Sequence, residues 1–427
     1  MYISSAIITN IRSIKYFKLV FDSNNYAGWH VIIGDNGAGK STLVRSIALS
    51  LAGPSEAAAL RQNWSDWLRK GESKGTINLQ IDYDQSFDKR KGKGKSVKNY
   101  YIPANISFRP SELRKIPIVE LYSPARKGID PRNYLWGDGL GWFCASYGPF
   151  RRFSGGNKDY EKLFYTNPKL APHLSVFGED IALTECLNWL QSLHVRELET
   201  KIEDKLLSSL IKFINQSGLL PHGAVLDKIS SEYVSFIDGN GCEISVDQLS
   251  DGYRSILSMT FELIRQIVRA YGTNNIFTNN DAQLIIDLPG VVLIDEIDAH
   301  LHPTWQTQVG QWFIKYFPKI QFIVTTHSPL VCRACEKGSI WRLAAPGSNN
   351  KSGKITGTEK DRLIFGNVLD AYGTELFGEN VSISEESSNK MQRLSQLNIK
   401  SVTGTITEQE EQEMQTLKHF FPTGKNK

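Results

Sequence analysis

The sequence predicts an α/β fold built on a mostly parallel sheet with helices on both faces. Two observations carry this. Short apolar runs of strand length alternate with segments of helical periodicity, and one apolar run passes through a glycine-rich turn into a helix. The apolar runs Trp29–Ile33, Val291–Ile294 and Gln321–Thr325 are continuous rather than alternating, as expected of parallel strands buried on both sides.

The first forty residues alternate in the manner of strands, and Leu43–Leu51 follows as a helix with Leu43, Ile47 and Leu51 on one face. Residues 76–84 and 98–108 read as two strands. The loop joining them carries Lys89, Arg90, Lys91, Lys93, Lys95 and Lys98. Residues 181–215 are helix-rich, with leucines at 183, 187 and 190 and again at 206, 207 and 210. Strand signals return over 232–247 around the turn Asp238-Gly-Asn-Gly241, and a helix is expected over 251–271. Residues 273–283, polar and asparagine-rich, read as an exposed loop, and a helix over 304–317 separates the last two apolar strands. Ser384 and Thr407 each precede a helical segment, and Thr407 and Glu410 have capping-box spacing.

Composition narrows the class. At 41% hydrophobic and 22% charged residues the chain is an ordinary soluble globular protein, which excludes collagen-like, disordered and disulfide-scaffold classes. A net charge of +4 is too mild to argue for nucleic acid globally, so any basic surface must be local. Five cysteines in 427 residues fit a reduced compartment. Asn10 and Arg12 end the short apolar stretch at the amino terminus, and no window is long enough to span a membrane. A cytoplasmic protein without membrane partners is expected.

Gly34-Asp35-Asn36-Gly37-Ala38-Gly39-Lys40-Ser41-Thr42 matches the phosphate-loop pattern G-x-x-x-x-G-K-[ST] in full, after an apolar strand and at the start of a helix. Backbone N–H groups of Asn36, Gly37, Ala38, Gly39, Ser41 and Thr42 would surround phosphate oxygens, with the helix amino terminus adding partial positive charge. Lys40 would reach the β/γ-phosphates, and the Ser41 hydroxyl would ligate Mg²⁺. The bland alternative is a glycine turn between strand and helix.

Val291–Ile294 ends in Asp295-Glu296. Beside a phosphate loop the first carboxylate would hold Mg²⁺ and the second would polarise the attacking water. Alone, two acids could be a solvated strand end. His327, closing the next apolar strand in Thr325-Thr326-His327-Ser328-Pro329, could contact the γ-phosphate or the attacking water, although a lone histidine is more often structural. Leu249-Ser250-Asp251-Gly252-Tyr253 opens a helix with Ser250 placed as its cap.

Phosphate loop, L-S-x-G segment, acidic pair and histidine occur in the order that resembles the ABC-class ATPases, in their soluble RecF/SMC/OLD-like branch. Asp295-Glu296-Ile-Asp298-Ala-His300-Leu-His302-Pro303, Phe317-Pro318-x-x-Gln321 and Tyr147-Gly-Pro-Phe-Arg151-Arg152 resemble the stand-alone ATPases of anti-phage modules of the Septu and PARIS type. The resemblance spans roughly residues 1–345.

It implies an ABC-type P-loop NTPase head, with a mixed sheet flanked by helices, an inserted helical lobe and a short helical carboxy-terminal tail. The expected divisions are 1–154 and 223–345 for the two parts of the head, 155–222 for the lobe and 346–427 for the tail. It also implies ATP and Mg²⁺ as cofactors and an ATP-sandwiched homodimer or higher homo-oligomer. Ser250 and Gly252 of one protomer would touch the γ-phosphate on the other, and Arg12, in Asn10-Ile11-Arg12-Ser13, would lie near the nucleotide. No glutamine marks the Mg²⁺-sensing loop, and Ser146-Tyr147-Gly148 is its candidate replacement.

The long coiled coil of SMC proteins and the Toprim nuclease of OLD proteins are not evident. Cys332-Arg-Ala-Cys335 lacks a second pair at zinc-finger distance, and His300, His302 and Asp298 lack a fourth ligand. The basic run at 89–98 is a candidate nucleic-acid contact or a solvated hairpin tip, and Arg151 and Arg152 are candidate phosphate or nucleic-acid contacts or, as readily, solvated loop arginines. The function expected is an Mg²⁺-dependent ATPase whose head dimerisation controls a separate effector nuclease. The alternative is a RecF-like repair or recombination ATPase that uses its own DNA surface.

Overall fold

The computed structural model describes residues 1–60, 62–91, 101–110, 117–121, 129–151, 162–163, 165–178, 184–200, 205–231, 233–281, 283–348, 351–367 and 385–420. Arg152, Lys93, Lys95, Lys98 and Ser384 lie outside the described residues. The chain divides into two units, Met1–Gly366 and Asn367–Lys427.

In the first unit the early strands are β1 (Tyr2–Ile11), β2 (Ile14–Val20), β3 (Gly28–Ile33), β4 (Gly75–Asp82), β5 (Ile102–Pro110) and β6 (Pro117–Leu121). There follow β7 (Cys144–Tyr147), β8 (Val225–Ile229), β9 (Val234–Ile237), β10 (Glu243–Ser245), β11 (Thr278–Asn280) and β12 (Gln283–Ile285). The last are β13 (Gly290–Ile294), β14 (Ile320–Thr326), β15 (Ser339–Arg342) and β16 (Gly353–Ile355). Helices α1 (Lys40–Ala52), α2 (Thr184–Thr200), α3 (Lys205–Gln216), α4 (Asp251–Tyr271), α5 (Pro303–Tyr316) and α6 (Gly357–Phe365) accompany them.

The central sheet runs β16-β15-β3-β14-β13-β7 and is parallel except where β16 pairs with β15. Every residue of β3, β13 and β14 is buried, which is what their unbroken apolar runs require. An antiparallel sheet of order β2-β1-β4-β5-β6 faces it. Helix α1 packs between the two: Leu43, Val44, Ile47 and Leu51 share one core with Ile8, Leu79 and Ile106 on one side and Val291, Leu293 and Ile323 on the other. This burial on every side explains the weak amphipathicity of the helix, since a helix held between two sheets has no face left for water.

Register places the site. Thr326 pairs with Ile33 and Val324 with Ile294, so the carboxyl ends of β3, β14 and β13 lie side by side. In an open α/β sheet that edge is where ligands bind.

Two local readings change. Residues 278–280 and 283–285 pair antiparallel, Thr278 opposite Ile285, where the sequence predicts a loop over 273–283. The side chains of β11 are exposed as expected, so the pairing rests on backbone bonds that side-chain periodicity does not report. Past residue 345, β16 and α6 extend the first unit.

In the second unit, α7 (Glu385–Val402) and α8 (Glu408–Phe420) pack through Leu394, Leu397, Met414 and Leu417. The capping box is formed: Glu410 N–H donates to Thr407 Oγ1 at 3.3 Å, and Thr407 N–H to Glu410 Oε2 at 3.1 Å. Among the described residues no helix is long and apolar enough to cross a membrane.

Candidate functional site: a phosphate loop facing an acidic strand end

From Ile33 the chain turns through Gly34–Gly39 into α1. Gly37 (φ 78°) and Gly39 (φ 105°) are left-handed, which suits glycine and lets successive N–H groups point inward. A β-carbon on Gly34 would lie 2.3 Å from the Leu343 carbonyl oxygen, and one on Gly39 would lie 2.6 Å from Ser13 Oγ. Asn36 and Gly37 are exposed, Ser41 is half-buried, and Ala38 and Thr42 are buried. No side chain caps α1, so its first-turn N–H groups are left to a ligand. Lys40 is buried and curls back over the loop, donating to Gly34 O at 2.7 Å and Asp35 O at 3.2 Å. Burial lowers its pKa, against the pull of Glu296, Asp295, Asp298 and Asp35.

Across the edge, Asp295 is fully buried at the end of β13. Its Oδ1 accepts the Thr325 hydroxyl at 2.6 Å, and its Oδ2 is buried without a hydrogen-bond partner. A buried carboxylate oxygen without a donor is costly unless a cation takes it. Together with the half-buried Ser41 hydroxyl it is the hard-oxygen donor set that suits Mg²⁺, an ion that keeps few protein ligands and fills its shell with phosphate and water. Glu296 is half-buried with φ 48°, and its N–H donates to Thr325 Oγ1 at 2.8 Å. His327 Nδ1 lies 3.5 Å from Lys40 Nζ. Burial depresses the His327 pKa, and the Lys40 charge adds to this, so the imidazole stays neutral at pH 7. Asp298 steadies that segment, its Oδ1 accepting Thr326 Oγ1 at 2.6 Å and its Oδ2 the His327 N–H at 3.4 Å.

Arg12 sits on the β1–β2 turn, whose Ser13 touches the phosphate loop. Its guanidinium stacks 4.6 Å above the Trp67 ring, and its N–H donates to Trp67 O at 2.8 Å. Arg151 departs from both sequence readings, being neither a phosphate contact nor solvated. It is 4% exposed beneath the acidic strand end and donates to five oxygens, those of Ser255 Oγ, Gly148, Asp295, Glu296 and Ile297. Gly148 itself follows β7, next to β13 in the sheet.

Ser250 occupies the N-cap position of α4, but its side chain makes no capping bond and is exposed. The cap expected from sequence is therefore positional only, and the hydroxyl is left to solvent. Gly252 is required by packing, since a β-carbon there would meet the His300 carbonyl oxygen at 2.6 Å. Ser250, Gly252, Tyr253, His300, His302 and Trp305 line a shallow cavity of about 90 Å³. In it the Trp305 indole donates to Tyr253 Oη at 2.8 Å, the rings edge to face at 5.9 Å. The metal alternative for His300 and His302 fails. His302 Nδ1 accepts the Thr304 N–H at 3.3 Å as a helix cap, Asp298 is turned to β14, and the described residues contain no metal-holding group of His, Cys, Asp or Glu. Cys332 and Cys335 are free and fully buried.

Family models agree with this geometry. One described as "AAA ATPase domain" matches residues 1–127, and one described as "AAA domain, putative AbiEii toxin, Type IV TA system" matches 166–333. The chain is 25% identical over 342 residues to the Septu protein PtuA of Bacillus mycoides (strain KBAB4), covering 79% of this chain and 40% of that protein. It is 26% identical over 363 residues to the Retron Vc95 probable ATPase of Vibrio cholerae serotype O1 biovar El Tor, covering 74% of this chain and 69% of that one. The chain thus carries matches to AAA ATPase models in both halves and is similar to the Septu and retron ATPases. It spans less than half of the Septu relative's length. Among solved structures it is similar to an SMC head bound to the C-winged helix domain of ScpA, with TM-score 0.48 and 16% identity over 84% of this chain and all of that one.

The fold thus brings together Lys40, Ser41, Asp295, Glu296 and His327, and sets Ser250 and Gly252 in a separate cavity. Sequence reasoning gave no orienting role to Thr325, Thr326 or Asp298, which hold those groups in place. The two hydroxyls directly before His327 were the available signal, because threonine at the end of a buried strand needs a polar partner.

Proposed function

We propose that this chain is a cytoplasmic, Mg²⁺-dependent ATP hydrolase in which bound ATP draws two heads together as a switch. The observation that carries the hydrolase is the meeting, on one sheet edge, of Lys40 and His327 with an orphaned Asp295 oxygen and the Glu296 carboxylate. Lys40 and the loop N–H groups hold the β- and γ-phosphates, and Ser41 and Asp295 are the residues that would hold the metal. Mg²⁺, when bound, neutralises phosphate charge and fixes the γ-phosphate geometry. Glu296 accepts the proton of the attacking water, and neutral His327 donates to the γ-phosphate.

The switch is supported by the cavity at Ser250 and Gly252. Ser250 offers an unengaged hydroxyl, and no phosphate-loop residue lines the space around it, so its phosphate partner comes from a second copy. We further propose that the dimer, or a higher homo-oligomer, governs a separate effector nuclease in anti-phage defence or DNA surveillance. The Septu and retron relatives support this part.

Glu296→Gln tests the assignment: it should retain ATP, lose turnover and accumulate as a dimer in light scattering with ATP and Mg²⁺. Wild-type turnover in this variant, or a monomer under all nucleotide conditions, would overturn it. The RecF-like alternative rests on the basic run. Within it Lys89 Nζ donates to Gln85 O and Ser86 O at 2.9 Å, and Lys91 pairs with Asp138, so those two are already engaged. Neutralising residues 89–98 would abolish DNA binding and flatten its salt dependence if that reading held.

A further inference from the structure

Arg151 is a buried cation whose partners come from three parts of the head. Its Nε donates to Ser255 Oγ on α4 at 3.0 Å, and its Nη1 to Gly148 O at 2.8 Å, past β7. Past β13, Nη1 also reaches Asp295 O at 2.9 Å, and Nη2 reaches Glu296 O at 3.1 Å and Ile297 O at 3.4 Å. In an extended strand successive carbonyls point to opposite sides, so three consecutive ones cannot face one cation. Here the left-handed Glu296, φ 48°, breaks the alternation. That conformation is unfavourable for a residue with a β-carbon and persists only where its surroundings hold it. Ser255 lies just over one turn beyond Ser250 on the same helix, and Gly252 between them abuts the His300 carbonyl. The start of α4 therefore touches the loop after β13 at two points, directly and through Arg151.

We infer that Arg151 is a positioning residue that couples α4, the helix opened by the L-S-x-G segment, to the catalytic carboxylate of the same chain. Contact of a second copy's phosphate with Ser250 and Gly252 moves or braces the start of α4, Ser255 carries this to the guanidinium, and the guanidinium sets the Glu296 backbone. Engagement of the outer face thereby completes the geometry of the inner one. This rests on the ATPase and head-pairing reading above.

The test compares the full-length wild type with Ser255→Ala, which removes one bond at little cost to packing, and with Arg151→Lys, whose ammonium cannot span the fork of acceptors. Three quantities are measured: nucleotide affinity, ATP-dependent dimerisation, and turnover as a function of protein concentration. In wild type, turnover per head should rise as heads pair. In Ser255→Ala, nucleotide affinity and dimerisation should stay within about twofold of wild type, while kcat in the dimer falls roughly tenfold or more, the size of a lost bond to a charged group. Arg151→Lys should lower kcat further, and the double variant should match Arg151→Lys alone rather than the product of the two effects. Turnover that keeps its full rise on pairing in Ser255→Ala, or independent multiplicative effects, overturns the coupling. A wild type that neither hydrolyses ATP nor pairs overturns the underlying reading instead.

Discussion

The Thr325 hydroxyl lies 2.6 Å from Asp295 Oδ1 and donates to it, while accepting the Glu296 N–H at 2.8 Å. One side chain of β14 thus orients both acids at the end of β13. It fixes which oxygen of Asp295 remains open and how the chain turns at Glu296.

Replacing Thr325 with valine keeps the shape and removes the bridge. The buried Asp295 carboxylate then loses its donor, and a destabilisation of about 1–3 kcal/mol is expected from that unsatisfied group. Thermal unfolding without nucleotide and phosphate release with ATP and Mg²⁺ measure the two consequences. Turnover should fall sharply in Thr325→Val and largely recover in Thr325→Ser, which restores the hydroxyl.

His327→Ala tests the imidazole beside Lys40. A donor aimed at developing phosphate charge contributes about 2.7–4 kcal/mol to the transition state. A fall in kcat of roughly 10²–10³ is therefore expected, with ATP affinity nearly unchanged. Steady-state turnover and equilibrium nucleotide binding separate the two, and unaltered kcat would leave His327 without a role in the reaction.

Gly252→Ala places a β-carbon 2.6 Å from the His300 carbonyl oxygen. Backbone cannot yield cheaply there, so the start of α4 or the loop at His300 must shift. The expected outcome is normal ATP binding by the single head with ATP-dependent dimerisation lost, read by light scattering at matched concentrations.

Stability should depend on pH through His30, which lies on β3, the strand that leads into the phosphate loop. His30 is buried between Tyr26 O at 2.9 Å and Ser339 Oγ at 2.8 Å, and burial pushes its pKa down to about 4 from an ordinary 6.5. Tyr26 O can only accept, so Nε2 carries the proton of the neutral ring and Nδ1 accepts the Ser339 hydroxyl, whose oxygen takes the Trp341 indole N–H at 2.8 Å. Below about pH 6.5 the unfolded chain takes a proton that the folded chain refuses. Stability is therefore full above that pH and is lost as pH falls toward 4. Urea unfolding at pH 7 and pH 5 should differ by about 2 kcal/mol on this account, and His30→Gln should remove most of that difference.

The chemistry-bearing residues were legible where function dictates a residue type at a fixed spacing. Lys40, Asp295, Glu296 and His327 each close an apolar strand or open a helix, so their neighbourhood followed from the parallel sheet. Arg151 was not legible, because its burial depends on Ser255 and the backbone after β13, which are distant in sequence and carry no pattern. The positional but unbonded cap at Ser250 was equally hidden. Capping propensity says where serine belongs, not whether its hydroxyl bonds back.

The contact between Trp305 and Tyr253 gives the molecule a built-in optical signal. The indole borders the cavity of Ser250 and Gly252, with its N–H held by a phenol. A highly charged group entering there would alter the polarity around the ring and its emission. Association of two heads could then be followed in real time by tryptophan fluorescence, with no label attached and no residue changed, and Trp305→Phe would identify the share of the signal that belongs to this ring.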